Sequence, residues 1–160
     1  MAASVRTRVP LIPARAASSR SQPSVPDQNT CLSWAIATPN CSVKLSELAV
    51  GIGPFVVGPV IEKKIGLGAL SAIAVDADWR TAGWAHQHGL YAEVLDSVHA
   101  LDERVGVFAR KLAGYNPEAM RRMKETFWEG TEGWEELLAA RAEISGTLVL
   151  SDFTRKAIGG

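Results

Sequence analysis

The sequence predicts an α/β protein whose first part alternates short extended segments with helices and whose remainder, from Asp96 onward, is helical. Three observations carry that expectation. Short apolar runs around Ile36 and Val43 are separated by the turn pair Pro39-Asn40, the pattern of brief strands. Ile65, Leu67, Leu70, Ile73 and Ala74 recur near helical spacing, as do Val98, Leu101, Val105, Phe108 and Leu112, alternately three and four apart.

Taken in order, the chain opens on a segment unlike the rest. Residues 1–26 hold Arg6, Arg8, Arg15 and Arg20, no acid, and four of the eight prolines, a composition that cannot form a packed core. An Arg- and Ser-rich, acid-poor leader resembles an organelle transit peptide, but Pro10, Pro13, Pro23 and Pro26 interrupt any amphipathic helix there. Residues 1–33 are therefore read as a disordered leader or, somewhat ahead of that, as a wrong-frame or wrong-start segment. A core region follows over residues 34–95, and a helical region over 96–158. Within the core, 34–38 and 42–50 are expected to be extended and 61–75 helical, with Gly66 and Gly68 weakening the helix start. Thr81 is placed to cap a short helix ending at Gly89, and 90–94 to return as a strand. Asp96 is expected to open the next helix and Pro117 another, reaching about Trp128. Trp134, Leu137, Leu138, Ile144 and Leu148 mark a last long helix, and Ser151 and Asp152 offer caps for a short one through Ile158.

Composition bounds function loosely. The 160 residues suit one domain, and 47% hydrophobic with 21% charged residues is ordinary globular material. Lys+Arg and Asp+Glu both number 17, so no charge excess points to nucleic acid or an anionic membrane, and no apolar run approaches the ~20 residues of a membrane span. Cys31 and Cys41 lack a Cys-x-x-Cys partner and are expected to be reduced thiols. Cytoplasm is the expected compartment, or mitochondria if residues 1–26 act as a transit peptide.

Chemistry concentrates in Leu45-Ser46-Glu47-Leu48-Ala49-Val50-Gly51-Ile52-Gly53-Pro54-Phe55-Val56-Val57-Gly58-Pro59. A carboxylate between Leu45 and Leu48 is costly to bury as an anion, and desolvation favours its protonated form, which suits proton transfer near neutral pH. Gly51, Gly53 and Gly58 allow close backbone approach, while Pro54 and Pro59 stiffen the turn and remove amide donors.

This stretch resembles the middle of the enoyl-CoA hydratase/isomerase (crotonase) family, in a subtype near methylglutaconyl-CoA hydratases. Glu47 falls on the family's second catalytic glutamate, and Gly51, Pro54 and Gly58 fall on its turn positions. Thr81-Ala82, Ala85 and Gly89-Leu90 keep the same register against the family's Ser-Ala-x-x-Ala-x-x-x-Gly-Leu-Val element, with Trp84 and Tyr91 as departures. Phe153 and Lys156 match a C-terminal Phe-x-x-Lys that in the family reaches a neighbouring subunit's coenzyme A; a packed Phe and a terminal Lys explain the pair equally well. The resemblance implies a spiral of ββα turns, here partial, followed by C-terminal helices that assemble trimers or hexamers. It implies addition of water to, or isomerisation of, the double bond of a short or branched enoyl-CoA thioester, as in fatty-acid or branched-chain amino-acid degradation. No cofactor beyond the coenzyme A of the substrate is implied, nor any metal, nucleic acid or membrane partner.

The first family glutamate is expected some twenty residues before Glu47. Asp27 stands at that distance, but Val25-Pro26-Asp27-Gln28 bears no likeness to the motif, and no oxyanion-hole segment is recognisable. Removing even one oxyanion donor costs roughly 10²–10³ in kcat. The purified chain is therefore expected to bind coenzyme A weakly and to hydrate crotonyl-CoA near the background rate. A catalytically inactive, self-associating crotonase fragment is the alternative, and a nucleotide-binding module a weaker one. Gly51-Ile52-Gly53 with Gly58 has the wrong spacing for a dinucleotide loop, and no Gly-Lys-Ser/Thr follows. His86 and His88, two apart, face different ways on a helix, and His99 has no ligand partner nearby in sequence; all three read as surface or core residues. Arg121, Arg122 and Lys124 read as a solvated face, and the five tryptophans as packing.

Overall fold

The computed structural model describes residues 34–159; the expectations for residues 1–33, Cys31 and Asp27 among them, lie outside the described residues. The elements in order are β1 (Ile36–Ala37), β2 (Ser42–Val43), a 3-10 turn (Leu48–Val50), α1 (Gly58–Asp76), β3 (Arg80–Thr81), α2 (Ala82–Gln87), β4 (Glu93–Val94), α3 (Val98–Ala113), α4 (Pro117–Phe127), α5 (Trp134–Val149) and α6 (Asp152–Ile158). The described residues are thus mostly helical, with few and short strands. β1 runs parallel to β4, Ile36 opposite Glu93, and β2 antiparallel to β3, Ser42 opposite Thr81. Flanking bonds lengthen both pairs: Ala92 N–H donates to Ala35 O at 2.7 Å, Leu95 N–H to Ala37 O at 2.8 Å, and Ala82 N–H to Cys41 O at 3.0 Å. No helix among the described residues is long and apolar enough to cross a membrane.

Local chemistry sets most helix ends. Thr81 caps α2 by accepting from Trp84 N–H, Ser97 caps α3 from Ala100 N–H, and Ser151 caps α6 from Thr154 N–H. Asn116 accepts from both Glu118 and Ala119 N–H, with Pro117 at the first turn of α4. The central helix α1 is broken at Gly66, whose φ of 76° and ψ of 161° leave the helical region for one that only glycine adopts readily. It ends at Ala77, left-handed at φ 51°, with Ala77 N–H donating to Ile73 O.

Leu45, Leu70 and Ile73 form the buried core, with Val43, Val57, Ile61, Ile65, Ala74 and Trp84 packed around it. Ala82 and Ala85 are fully buried; their small side chains let α2 lie close to the strands. α3 is tied to β4 by a bidentate pair, Arg104 Nε donating to Glu93 Oε2 at 2.8 Å and Nη2 to Oε1 at 2.6 Å. Above it Trp34 stacks on Phe108 at 4.9 Å.

Four sequence expectations change. The extended segment expected over 42–50 stops at Val43: Glu47 is helical at φ −62°, ψ −39°, and opens the 3-10 turn. Its carbonyl accepts from Val50 N–H (3.2 Å) and Ile52 N–H (2.9 Å), so local turn bonds replace a strand ladder there. The strand expected over 90–94 shrinks to Glu93–Val94, because Leu90 and Tyr91 N–H both donate back to Ala85 O. Ser97, not Asp96, opens α3. The expected stripe of α3 lies partly in the open, Val98 and Val105 being exposed, and no residue of α3, α4 or α5 is buried.

Candidate functional site

Glu47 enters the turn from β2 with Leu45 anchored in the core two residues earlier. Its side chain is half-buried, and its Oε2 is enclosed without a hydrogen-bond partner among the described residues. An enclosed carboxylate oxygen without a partner carries a desolvation cost that a hydrogen bond from a ligand would offset.

The backbone after Glu47 reverses at Gly51, left-handed at φ 83°, ψ 17°. A Cβ there would stand 2.5 Å from Phe153 Cδ1 and 2.9 Å from Thr154 Oγ1, so glycine is required both by the turn and by the close approach of α6. Gly53 is buried beneath the Phe55 ring. Pro54 O accepts from Gly58 N–H at 2.9 Å, which starts α1. On the other side Arg141 of α5 reaches the turn, its Nη1 donating to Phe55 O at 3.5 Å and lying beside the buried Gly58.

The structure therefore gathers Glu47, Gly51, Pro54 and Gly58 on one continuous turn and brings Phe153 onto Gly51 of its own chain. Lys156, one helical turn further along α6, is exposed. Sequence reasoning missed Arg141 and Thr154. Nothing local marks Arg141, whose partner is 86 residues away. Thr154 is fully buried; its position three after the capping Ser151 was legible, but not what it packs against.

The amides of Val50, Gly51, Ile52 and Phe55 all donate to carbonyls within the turn and so do not form the open cradle that a phosphate loop presents. An open cleft of about 400 Å³ lies alongside, between α1 and α5, lined by Glu62, Lys63, Leu67, Trp134, Leu137 and Arg141 among others. Lys63 Nζ donates to Glu129 O at 3.0 Å near this cleft. Glu47 is not among the lining residues.

The histidines are engaged in their own helix and its exit. His86 Nδ1 donates to Tyr91 O at 3.0 Å, and His88 Nδ1 to Trp84 O at 2.9 Å while stacking on the Trp84 ring. No group of three or more His, Cys, Asp or Glu among the described residues could hold a metal ion. Burial raises the Tyr91 phenol above its ordinary value, helped by the nearby Cys41 thiol, and burial lowers the Lys64 ammonium. Arg121 and Arg122 pair with Glu118 on α4, forming an ion-paired surface.

Neither a protein-family model nor a curated protein sequence matches the chain. Solved structures do. An enoyl-CoA hydratase from Mycobacterium avium is similar with a TM-score of 0.72 at 20% identity, over 79% of this chain and 49% of that one. An enoyl-CoA hydratase from Bacillus halodurans gives 0.71 at 19% identity, over 79% and 51%. An enoyl-CoA hydratase/isomerase from Pseudoalteromonas atlantica T6c gives 0.70 at 14% identity, again over 79% and 51%. At these identities the likeness is one of fold: the described residues share the crotonase fold of these structures, and the chain spans about half their length.

Proposed function

We propose that this chain carries the second carboxylate half of a crotonase-type site, with Glu47 exchanging a proton with a short or branched enoyl-CoA thioester. In hydration, water oxygen bonds to the β-carbon and a proton is delivered to the α-carbon; in isomerisation, a proton leaves one carbon and returns to another. Either reaction balances without an oxidant or reductant. Glu47 would supply or receive the proton, and Gly51, Pro54 and Gly58 would serve substrate binding by shaping the turn that holds Glu47 toward the thioester. Phe153 and Lys156 would approach the coenzyme A portion, Lys156 toward phosphate. The observation that carries the reading is the enclosed, unpaired Oε2 of Glu47 at the head of a rigid Gly-Pro turn, in a chain with this fold.

The test is crotonyl-CoA titrated into the full chain with the Glu47 carboxyl carbon and the Gly51 and Ile52 amides followed by NMR. All three should shift, and the amide shifts should persist in Glu47→Gln. Hydration should stay near background; robust turnover lost in Glu47→Gln would strengthen the catalytic reading. No shift at millimolar thioester, or shifts confined elsewhere, would overturn it.

A second reading, a self-associating chain without catalysis, is favoured by one observation. Val98, Val105, Met123, Phe127, Ile144 and Leu150 are exposed along α3–α5 and the residue that follows. Apolar faces of this extent on helices mark interaction surfaces, and homotrimers or hexamers through these helices are the assembly proposed.

A further inference from the structure

We infer that Thr154 is a positioning residue for Glu47, so that α6 belongs to the candidate site as the clasp that sets its geometry. The role rests on the proposed use of Glu47, but the contact itself does not. Thr154 is the one polar residue that is fully buried among the described residues, at 0% exposure, and it sits in a seven-residue helix whose other members are exposed. Its burial is achieved against the Glu47 turn: its hydroxyl oxygen lies 2.9 Å from where a Cβ on Gly51 would be.

Ser151, the N-cap of α6, bonds Thr154 twice, once at its side chain and once at its backbone. Ser151 Oγ–H donates to Thr154 Oγ1 at 3.1 Å, and Thr154 N–H donates to Ser151 Oγ at 3.2 Å. The first bond holds the hydroxyl oxygen and the second caps the helix; the hydroxyl then bounds where Gly51 can go. Gly51 N–H in turn closes the 3-10 turn on Leu48 O, while Ile52 N–H closes on Glu47 O. A chain of contacts thus runs from Ser151 through Thr154 and Gly51 to the backbone of Glu47. Phe153 covers the same glycine from the solvent side, at 65% exposure, whereas Thr154 is fully buried. The displacement of Glu47 is therefore controlled by the buried neighbour rather than by the aromatic one.

The test is native-state amide exchange of the full chain, without ligand, for Thr154→Val and Thr154→Ser. Thr154→Val keeps the shape and deletes the hydroxyl; exchange at Gly51 and Ile52 should accelerate roughly tenfold or more, since the half-buried Ser151 hydroxyl loses its acceptor. Leu101 in α3 should be unchanged. Thr154→Ser should return both amides to within about threefold of wild type. Ser151→Ala leaves the packed volume at Gly51 intact and carries the same expectation should Thr154→Val not fold. Acceleration confined to α6, uniform acceleration including Leu101, or no rescue by serine would each overturn the role. Loss of the crotonyl-CoA shifts in wild type would instead overturn the use of Glu47 and leave the exchange result standing.

Discussion

Replacing Gly51 by alanine tests the turn and its clasp in one substitution. Two costs arise. An L-residue held at φ 83°, ψ 17° loses roughly 1–2 kcal/mol relative to glycine. The added methyl would also stand 2.5 Å from Phe153 Cδ1 and 2.9 Å from Thr154 Oγ1, and accommodating it costs about 1–3 kcal/mol in a packed setting. Together the loss should be about 2–5 kcal/mol. Gly130 supplies the control: its φ of 81° imposes a comparable backbone cost, but nothing lies within 4 Å of its Cβ position, so Gly130→Ala should lose only about 1–2 kcal/mol. The assay is urea unfolding of both variants at one protein concentration, compared at constant m. A Gly51→Ala loss no greater than that of Gly130→Ala would refute the contact between α6 and the turn.

Two further outcomes follow from other parts of the chain. Hydrogen bonding to Arg104 holds the Glu93 carboxyl below its ordinary value of 4.5, so the pair stabilises the fold above that pH and the contribution is lost as pH falls through the lowered folded value. The stability difference between wild type and Glu93→Gln should accordingly shrink on acidification below pH 4.5, and a difference independent of pH would contradict the ion pair. For the exposed helices, sedimentation velocity at micromolar concentration should show species larger than a monomer, which Met123→Lys with Phe127→Lys returns toward monomer; a wild-type chain that is monomeric throughout would remove the self-association reading.

Helix ends were legible because their causes are local. Thr81, Pro117 and Ser151 act within three residues of themselves, and α2, α4 and α6 begin where these residues place them. The segment around Glu47 was misread because its apolar run, Leu45 to Val50 by composition, does not reveal that Gly51 supplies a left-handed reversal and turns those residues onto their own carbonyls. The parallel pairing of β1 with β4 joins segments more than fifty residues apart, which no local periodicity encodes. Arg141 and Thr154 were invisible for a related reason. Each contacts the turn across a long stretch of sequence, through geometry that no spacing rule encodes.

The same two residues connect the Glu47 turn to the exposed helices. Arg141 lies on α5, a helix with no buried residue, and Thr154 on α6, exposed except at that position. Neither helix gains much hold on the core by its own apolar burial, since the large buried apolar side chains among the described residues are Leu45, Leu70 and Ile73, none of them from α3–α6. Their contacts with the turn are the Arg141 hydrogen bond at Phe55 beside Gly58 and the approach of Phe153 and Thr154 to Gly51. Attachments of that kind are weak individually and depend on the helices being held in place.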